Sequence, residues 1–242
     1  MKPIDYDKIY KKEWASCDNE EFLGTRKKIA LDLFPKNNEK NLDVGCGTGD
    51  FMKIVSKKKE VHIEGIDISE EAIKKAKESK LEVKKSDCIN TGYKEESFRV
   101  ITALDVLEHV KDHKKAIKEW HRILKNKGVL IICVPYKKTL WRKDDILVGH
   151  FRRYELDDLT DLFGNLFKIE KKVYSGFPFY IMFREINLRF MEKNNLTTGC
   201  FARKMSKQKK IFRTIIKILM KIELIFKKIP IGTSIILRVK KI

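Results

Sequence analysis

Between Asn41 and Pro135 the chain alternates short runs rich in β-branched and apolar residues with longer runs of helical character. The strand-type runs are 41–44, "VHIEGID" at 61–67, "LEV" at 81–83, "FRVITALDV" at 98–106 and "GVLIICVP" at 128–135, and between them lie "DFMKIVSKKK", "SEEAIKKAKESK" and "HKKAIKEWHRILKNKG". Strands separated by helices of this length are joined by crossovers, which predicts an α/β protein with a mostly parallel sheet and helices on both faces. "VLIICV" is apolar throughout, as a strand buried on both faces requires. Ser69, followed by Glu70 and Glu71, reads as an N-cap with acids in the first turn, and "KNKG" reads as the close of the helix before the fifth strand.

Residues 1–35 read as helical and polar, ending in the apolar face of Ile29, Leu31, Leu33 and Phe34. After the fifth strand come "YKKTLWRKDDILVGHFRRY", a helix "ELDDLTDLF", a strand "FKIEKKVYS", the apolar stretch "GFPFYIMFREINLRF", the basic amphipathic run "KKIFRTIIKILMKIELIFKK" and a closing strand "TSIILRVKK". A chain of 242 residues is long enough for one substantial core. The expectation is a single domain over 1–242, with a helical N-terminal lid at 1–37, a cofactor-binding core at 38–174, and cap helices plus a final strand at 175–242.

The formal net charge is +19, which suggests an anionic partner, but 13 of the basic residues fall between Phe201 and Ile242 against the single acid Glu223. The five cysteines, Cys17, Cys46, Cys88, Cys133 and Cys200, show no CxxC spacing, so neither a disulfide framework nor a thiolate zinc site is indicated. No run approaches the ~18 uninterrupted apolar residues of a spanning helix, and "MKPIDYDKIYKKEW" lacks the apolar core of a signal peptide. The expected setting is the cytoplasm, with peripheral membrane contact as an alternative.

The turn "NLDVGCGTGDF" carries the ligand chemistry. A dinucleotide fingerprint places a third glycine where this chain has Asp50, and a carboxylate there opposes a bound pyrophosphate. Asp43 adds a second acid. The turn suits a ligand carrying an ammonium and a sulfonium, while Gly45, Gly47 and Gly49 let backbone approach it closely. About 20 residues on, Asp67 ends the second strand, where an acid accepts hydrogen bonds from ribose hydroxyls. Asp87 and Cys88 end the third strand, and Leu104 and Asp105 the fourth.

In order and spacing, "LDVGCGTGDF", "IEGIDIS", "KSDC", "ITALDVLEHV" and "GVLIICVP" resemble the class I S-adenosylmethionine-dependent methyltransferases. The resemblance implies a Rossmann-like seven-stranded sheet whose last, antiparallel strand is inserted beside the fifth. It places Gly45, Gly47 and Gly49 under the methionine part of S-adenosyl-L-methionine, Asp67 at the ribose, Asp87 at the adenine amino group and the Leu104 backbone near the sulfonium, with Asp43, Ile68, Cys88 and Asp105 as further cofactor-binding candidates. Arg26 is similar in placement to an arginine that meets the methionine carboxylate.

On the acceptor side, Asp105, Glu108 and His109 form D-x-x-E-H. A similar string in quinone-precursor O-methyltransferases is implicated in magnesium binding, whereas the plainer reading is a helix start with carboxylates at its N-terminus. His109 and His113 stand at i, i+4, a zinc spacing that lacks a third ligand. No metal is assigned, and His109 is placed with the acceptor. "GHFRRY" offers His150 as a candidate general base, and Arg152, Arg153 and Tyr154 as acceptor-binding residues; alternatively the string only orders its loop. Lys210, Arg213, Lys217 and Lys221 form a basic stripe on an apolar helix at 208–228, read either as packed on the sheet or as lying on an anionic membrane.

These readings converge on methyl transfer to a small-molecule or lipid-like acceptor, with O-methylation favoured. A nucleic-acid methyltransferase is disfavoured, because the fourth strand ends "LDVLEHV" rather than in a "[DN]PP[YF]" motif. A non-catalytic binding protein on the same fold remains the other alternative.

Overall fold

The computed structural model describes residues 5–7, 24–193, 219, 222 and 224–242. Seven strands form one sheet in the order β3-β2-β1-β4-β5-β7-β6. They are β1 (Asn41–Val44), β2 (Ile63–Asp67), β3 (Val83–Lys85), β4 (Phe98–Leu104), β5 (Leu124–Pro135), β6 (Phe167–Ser175) and β7 (Ser234–Lys241). The first five pair in parallel, and β7 runs antiparallel between β5 and β6. The expected sheet and its inserted last strand are therefore present.

The helices are α1 (Thr25–Leu33), α2 (Asp50–Lys59), α3 (Glu70–Glu78), α4 (His113–Ile123), α5 (Lys143–Leu147), α6 (Leu156–Phe163) and α7 (Phe179–Lys193). Two-residue periodicity in the central strands sorts them onto two faces. On β5, Leu130, Ile132 and Val134 pack with Ala116, Ile117, Trp120 and Ile123 of α4 and Leu159 and Phe163 of α6. Val129, Ile131 and Cys133 face the other way, onto Ile29, Ala30 and Leu33 of α1 and Phe51, Met52 and Val55 of α2. "VLIICV" is apolar throughout because both of its faces are covered.

Four local expectations need correction. The third strand starts at Val83 rather than Leu81, because its pairing with β2 begins at Gly65↔Val83. "KNKG" does not close a helix: α4 ends at Ile123, and Leu124 turns extended to pair with Phe98, which starts β5 four residues earlier. "LEHV" makes only one 3-10 turn, Leu107–His109. Helix α4 waits until His113, where the Asp112 side chain caps the N–H of Lys115, because the carbonyls of Val110 and Lys111 are occupied by the Arg152 guanidinium at 2.8 and 2.9 Å. His109 and His113 are therefore not on one helix. Most of the helical reading of residues 1–35 lies outside the described residues, apart from α1 and residues 5–7. The basic stripe of Lys210, Arg213, Lys217 and Lys221 lies outside them entirely. Among the described residues no helix is long and apolar enough to cross a membrane.

Trp120 is fully buried and donates its indole N–H to the Cys88 carbonyl at 3.0 Å, tying α4 to the end of β3. Trp120→Ala is expected to lower unfolding stability by ~3–5 kcal/mol in urea titrations. A loss below about 1 kcal/mol would show that α4 does not rest on this side chain.

Candidate functional site

Parallel pairing brings the C-terminal ends of β1, β2, β3 and β4 to one edge, where open α/β sheets bind ligands. The turn after β1 is left-handed at Gly45 (φ +67) and Gly47 (φ +57), and a Cβ on Gly45 would collide with the Val106 side chain. Helix α2 then starts at Asp50, with Gly49 as N-cap. The Asp50 carboxylate thus sits in the first turn, where a dinucleotide's pyrophosphate would need bare N–H groups.

Asp67 receives the Gly47 N–H at 2.8 Å on one oxygen and the Ser69 N–H at 2.9 Å on the other. It fastens the glycine turn to the end of β2. Each carboxylate oxygen retains a further lone pair on the ligand side, which two ribose hydroxyls can use. Beside it Ile68 is 53% exposed, an apolar side chain presented at a strand end. Asp43 is buried and accepts the Thr102 hydroxyl at 2.5 Å, and burial pushes its carboxyl up to about 7. Asp87 closes a turn by accepting the N–H of Ile89, and Cys88 lies half-buried beside it.

At the end of β4, below Leu104, Asp105 takes a left-handed conformation (φ +59). Its carboxylate accepts Arg26 Nη1 at 2.8 Å and the Cys133 thiol at 3.3 Å. Arg26 and Asp105, both assigned to the cofactor from sequence, are thus ion-paired to each other, latching α1 onto the β4 edge. Two residues that sequence reasoning missed cross the rim: Asp7 accepts the Ser69 hydroxyl at 2.6 Å, and the Tyr6 ring stands edge-on to His109 with centroids 5.9 Å apart. Nothing in "PIDYDK" marks these contacts.

The acceptor side is organised by Asp145, which was also missed. This buried carboxylate accepts His150 Nδ1 at 2.8 Å, Arg153 Nε at 2.9 Å, Arg184 Nη2 at 2.9 Å and the Arg142 N–H at 2.9 Å. Burial opposes its charge, but the bonds from His150 and Arg153 prevail and hold it well below the usual carboxylate range. The "GHFRRY" string therefore acts largely within the protein. Arg153 also reaches the carbonyls of Tyr136 and Thr233, Arg152 holds the 110–111 backbone, and Tyr154 is buried with its hydroxyl on the Leu107 carbonyl and on His113. At Arg152, Arg153 and Tyr154, expected from sequence to bind an acceptor, these donors bond the protein's own backbone and side chains.

His150 behaves differently. With Nδ1 fixed on Asp145, its Nε2 faces Glu108 Oε1 at 3.8 Å, and its ring is 4.8 Å from that of His109. Glu108 is fully buried, and neither carboxylate oxygen has a hydrogen-bond partner among the described residues. Burial and the nearby Asp105 charge raise its pKa well above the ordinary value. Burial, with the neighbouring His150, pushes His109 down to about 4.

Asp145 is nearly dry, so removing one of its cations leaves charge uncompensated. Arg153→Ala is expected to cost ~3–5 kcal/mol of unfolding stability. Equal stability of variant and wild type would show that the other partners suffice.

Residues 42–132 match the family model described as a methyltransferase domain. An uncharacterised protein of Methanocaldococcus jannaschii is 32% identical over 149 residues, covering 57% of this chain and 63% of that protein. Demethylmenaquinone methyltransferase of Staphylococcus haemolyticus is 28% identical over 156 residues, covering 62% and 63%. The chain thus aligns to under two thirds of the length of these curated relatives. In fold it resembles phosphoethanolamine N-methyltransferase 2 of Haemonchus contortus, solved with S-adenosyl-L-methionine, at a TM-score of 0.66 and 15% identity, covering 98% of this chain and 60% of that one. The strand order, the acid-flanked glycine turn and the match over 42–132 together identify a methyltransferase domain of the class I S-adenosylmethionine-dependent type.

Proposed function

We propose that the chain transfers the sulfonium methyl of S-adenosylmethionine to a small-molecule or lipid-like acceptor, with a hydroxyl oxygen as the favoured nucleophile. The supporting observation is the chemistry beside the end of β4, where neither oxygen of the buried Glu108 has a hydrogen-bond partner among the described residues and His150 Nε2 lies 3.8 Å from one of them. In this reading the donor lies over the glycine turn, with its ammonium toward Asp43, its ribose on Asp67 and its adenine between Ile68 and Cys88. The sulfonium is already a strong electrophile, so rate comes largely from aligning the acceptor oxygen, the methyl carbon and sulfur. The oxygen attacks the methyl, the carbon–sulfur bond breaks to give the thioether product, and the hydroxyl proton passes to the Glu108–His150 side. Asp145 keeps the His150 ring oriented, as a buried carboxylate does for a working imidazole.

The test is incubation of the protein with methyl-labelled donor and fractionated small-molecule and lipid extracts, read by mass spectrometry. A product heavier by one methyl is expected, with kcat lowered about 100-fold or more in His150→Ala while donor still binds. Unchanged kcat in that variant would remove His150 from the mechanism.

Asp43 supplies a pH test. Its carboxyl without ligand titrates near about 7, and an adjacent ammonium favours the ionised form, so donor binding releases a proton below that pH. Affinity is expected to rise as pH increases from about 5.5 to 7, by up to about tenfold per unit at the acidic end. Asp43→Asn should flatten the profile; a flat wild-type profile would separate Asp43 from the ammonium.

A further inference from the structure

We propose that Glu108, His109 and His150 form a binding site for one divalent transition-type metal ion, of the zinc, cobalt or manganese class, which holds the acceptor's oxygen. One ligand atom from each of the three residues lies within 4.8 Å of the other two. His150 Nδ1 is engaged by the Asp145 carboxylate, and His109 Nδ1 lies 3.3 Å from the Gly149 carbonyl. Each engagement calls for the proton on Nδ1, which leaves the Nε2 lone pair of each ring for a ligand. A carboxylate or a backbone carbonyl behind each imidazole is the usual outer arrangement of histidine–metal sites.

The fully buried Glu108 is an independent observation. Both of its oxygens are without a hydrogen-bond partner among the described residues, and His150 Nε2 lies 3.8 Å from one of them. Two imidazoles and one carboxyl group gathered this closely are a donor set that a cation can draw together. Ligand bonds of about 2.0–2.2 Å put donor atoms about 3.5 Å apart, so side-chain shifts of about 1 Å close the site.

The donor set selects the metal. Two imidazoles and one carboxylate suit zinc, cobalt or manganese better than magnesium, which prefers oxygen ligands. Asp105 is not part of the set, because its carboxylate is taken by Arg26. The third donor comes from a segment about 40 residues downstream, so the string D-x-x-E-H does not contain the site. Three protein ligands leave a coordination position open. An acceptor hydroxyl bound there ionises more readily, its proton passing to the Glu108 oxygen that does not bind the ion, and the resulting alkoxide or phenolate attacks the methyl. This role rests on the methyltransferase reading; the binding site itself does not.

The test uses the full chain stripped with chelator and dialysed, titrated with cobalt(II) and zinc(II) in the absence of methyl donor, by visible absorption and calorimetry. One ion per chain is expected, with cobalt d–d bands indicating nitrogen ligation. Affinity should fall about tenfold or more in Glu108→Gln, His109→Ala and His150→Ala, and in Asp145→Asn through the orientation of His150. His62→Ala tests the separate grouping of His62, Glu64 and Glu82 and should leave the affinity unchanged. Circular dichroism identifies any variant that fails to fold, and His150→Ala, at a partly exposed position, then carries the result. Absence of cobalt or zinc binding at submillimolar metal, or binding that is equal in all variants, overturns the site. If no metal binds while His150→Ala still loses methyl transfer, His150 acts as a direct base, so the proposed function stands and the metal fails.

Discussion

The two hydrogen bonds accepted by Asp67, from the N–H groups of Gly47 and Ser69, set the shape of the rim at the C-terminal ends of β1 and β2. They join the glycine turn after β1 to the first turn of α3, two segments that the sheet brings close but does not itself connect. Because both partners are backbone amides, the turn is set by main-chain geometry and tolerates little else. The arrangement also gives the acid two functions in one place: its inner lone pairs organise the protein, and its outer ones remain for hydroxyl donors.

Asp145 does the corresponding work on the opposite rim. Pinned by His150, Arg153 and Arg184, it joins the loop before α6 to α7, and through Arg153 to the ends of β5 and β7. A buried carboxylate is tolerable only with such compensation. The consequence is a fixed His150 ring, held in one tautomer and directed at Glu108. One anionic hub thus positions an imidazole beside Glu108, whose oxygens have no hydrogen-bond partner among the described residues, and chemistry is expected at such a contrast.

The glycine turn and the acids at the strand ends were legible in the sequence because their signals are local. A strand end, a glycine run and an acid about 20 residues further on are read from spacing alone, and the structure places Gly45, Gly47, Gly49, Asp67, Asp87 and Leu104 along one edge. The acceptor side was less legible because its contacts are long-range. "GHFRRY" drew notice as a motif, but only the fold shows that Arg153 and Tyr154 face inward while His150 faces Glu108, 42 residues earlier. Nothing in "WRKDDILV" distinguishes Asp145 from its neighbour Asp144. Element boundaries failed where tertiary contacts override local preference: Arg152 holds the 110–111 carbonyls out of the helix, and Leu124 leaves α4 to pair with Phe98.

The central claim is that the acid-flanked glycine turn holds a cationic methyl donor rather than a pyrophosphate. Calorimetric titration of the full chain with S-adenosylmethionine and, separately, with an oxidised dinucleotide tests it most directly. The account predicts one S-adenosylmethionine bound per chain, lost in Asp67→Ala, and no heat from the dinucleotide. Absence of S-adenosylmethionine binding at millimolar ligand, or equal binding of the dinucleotide, would contradict it.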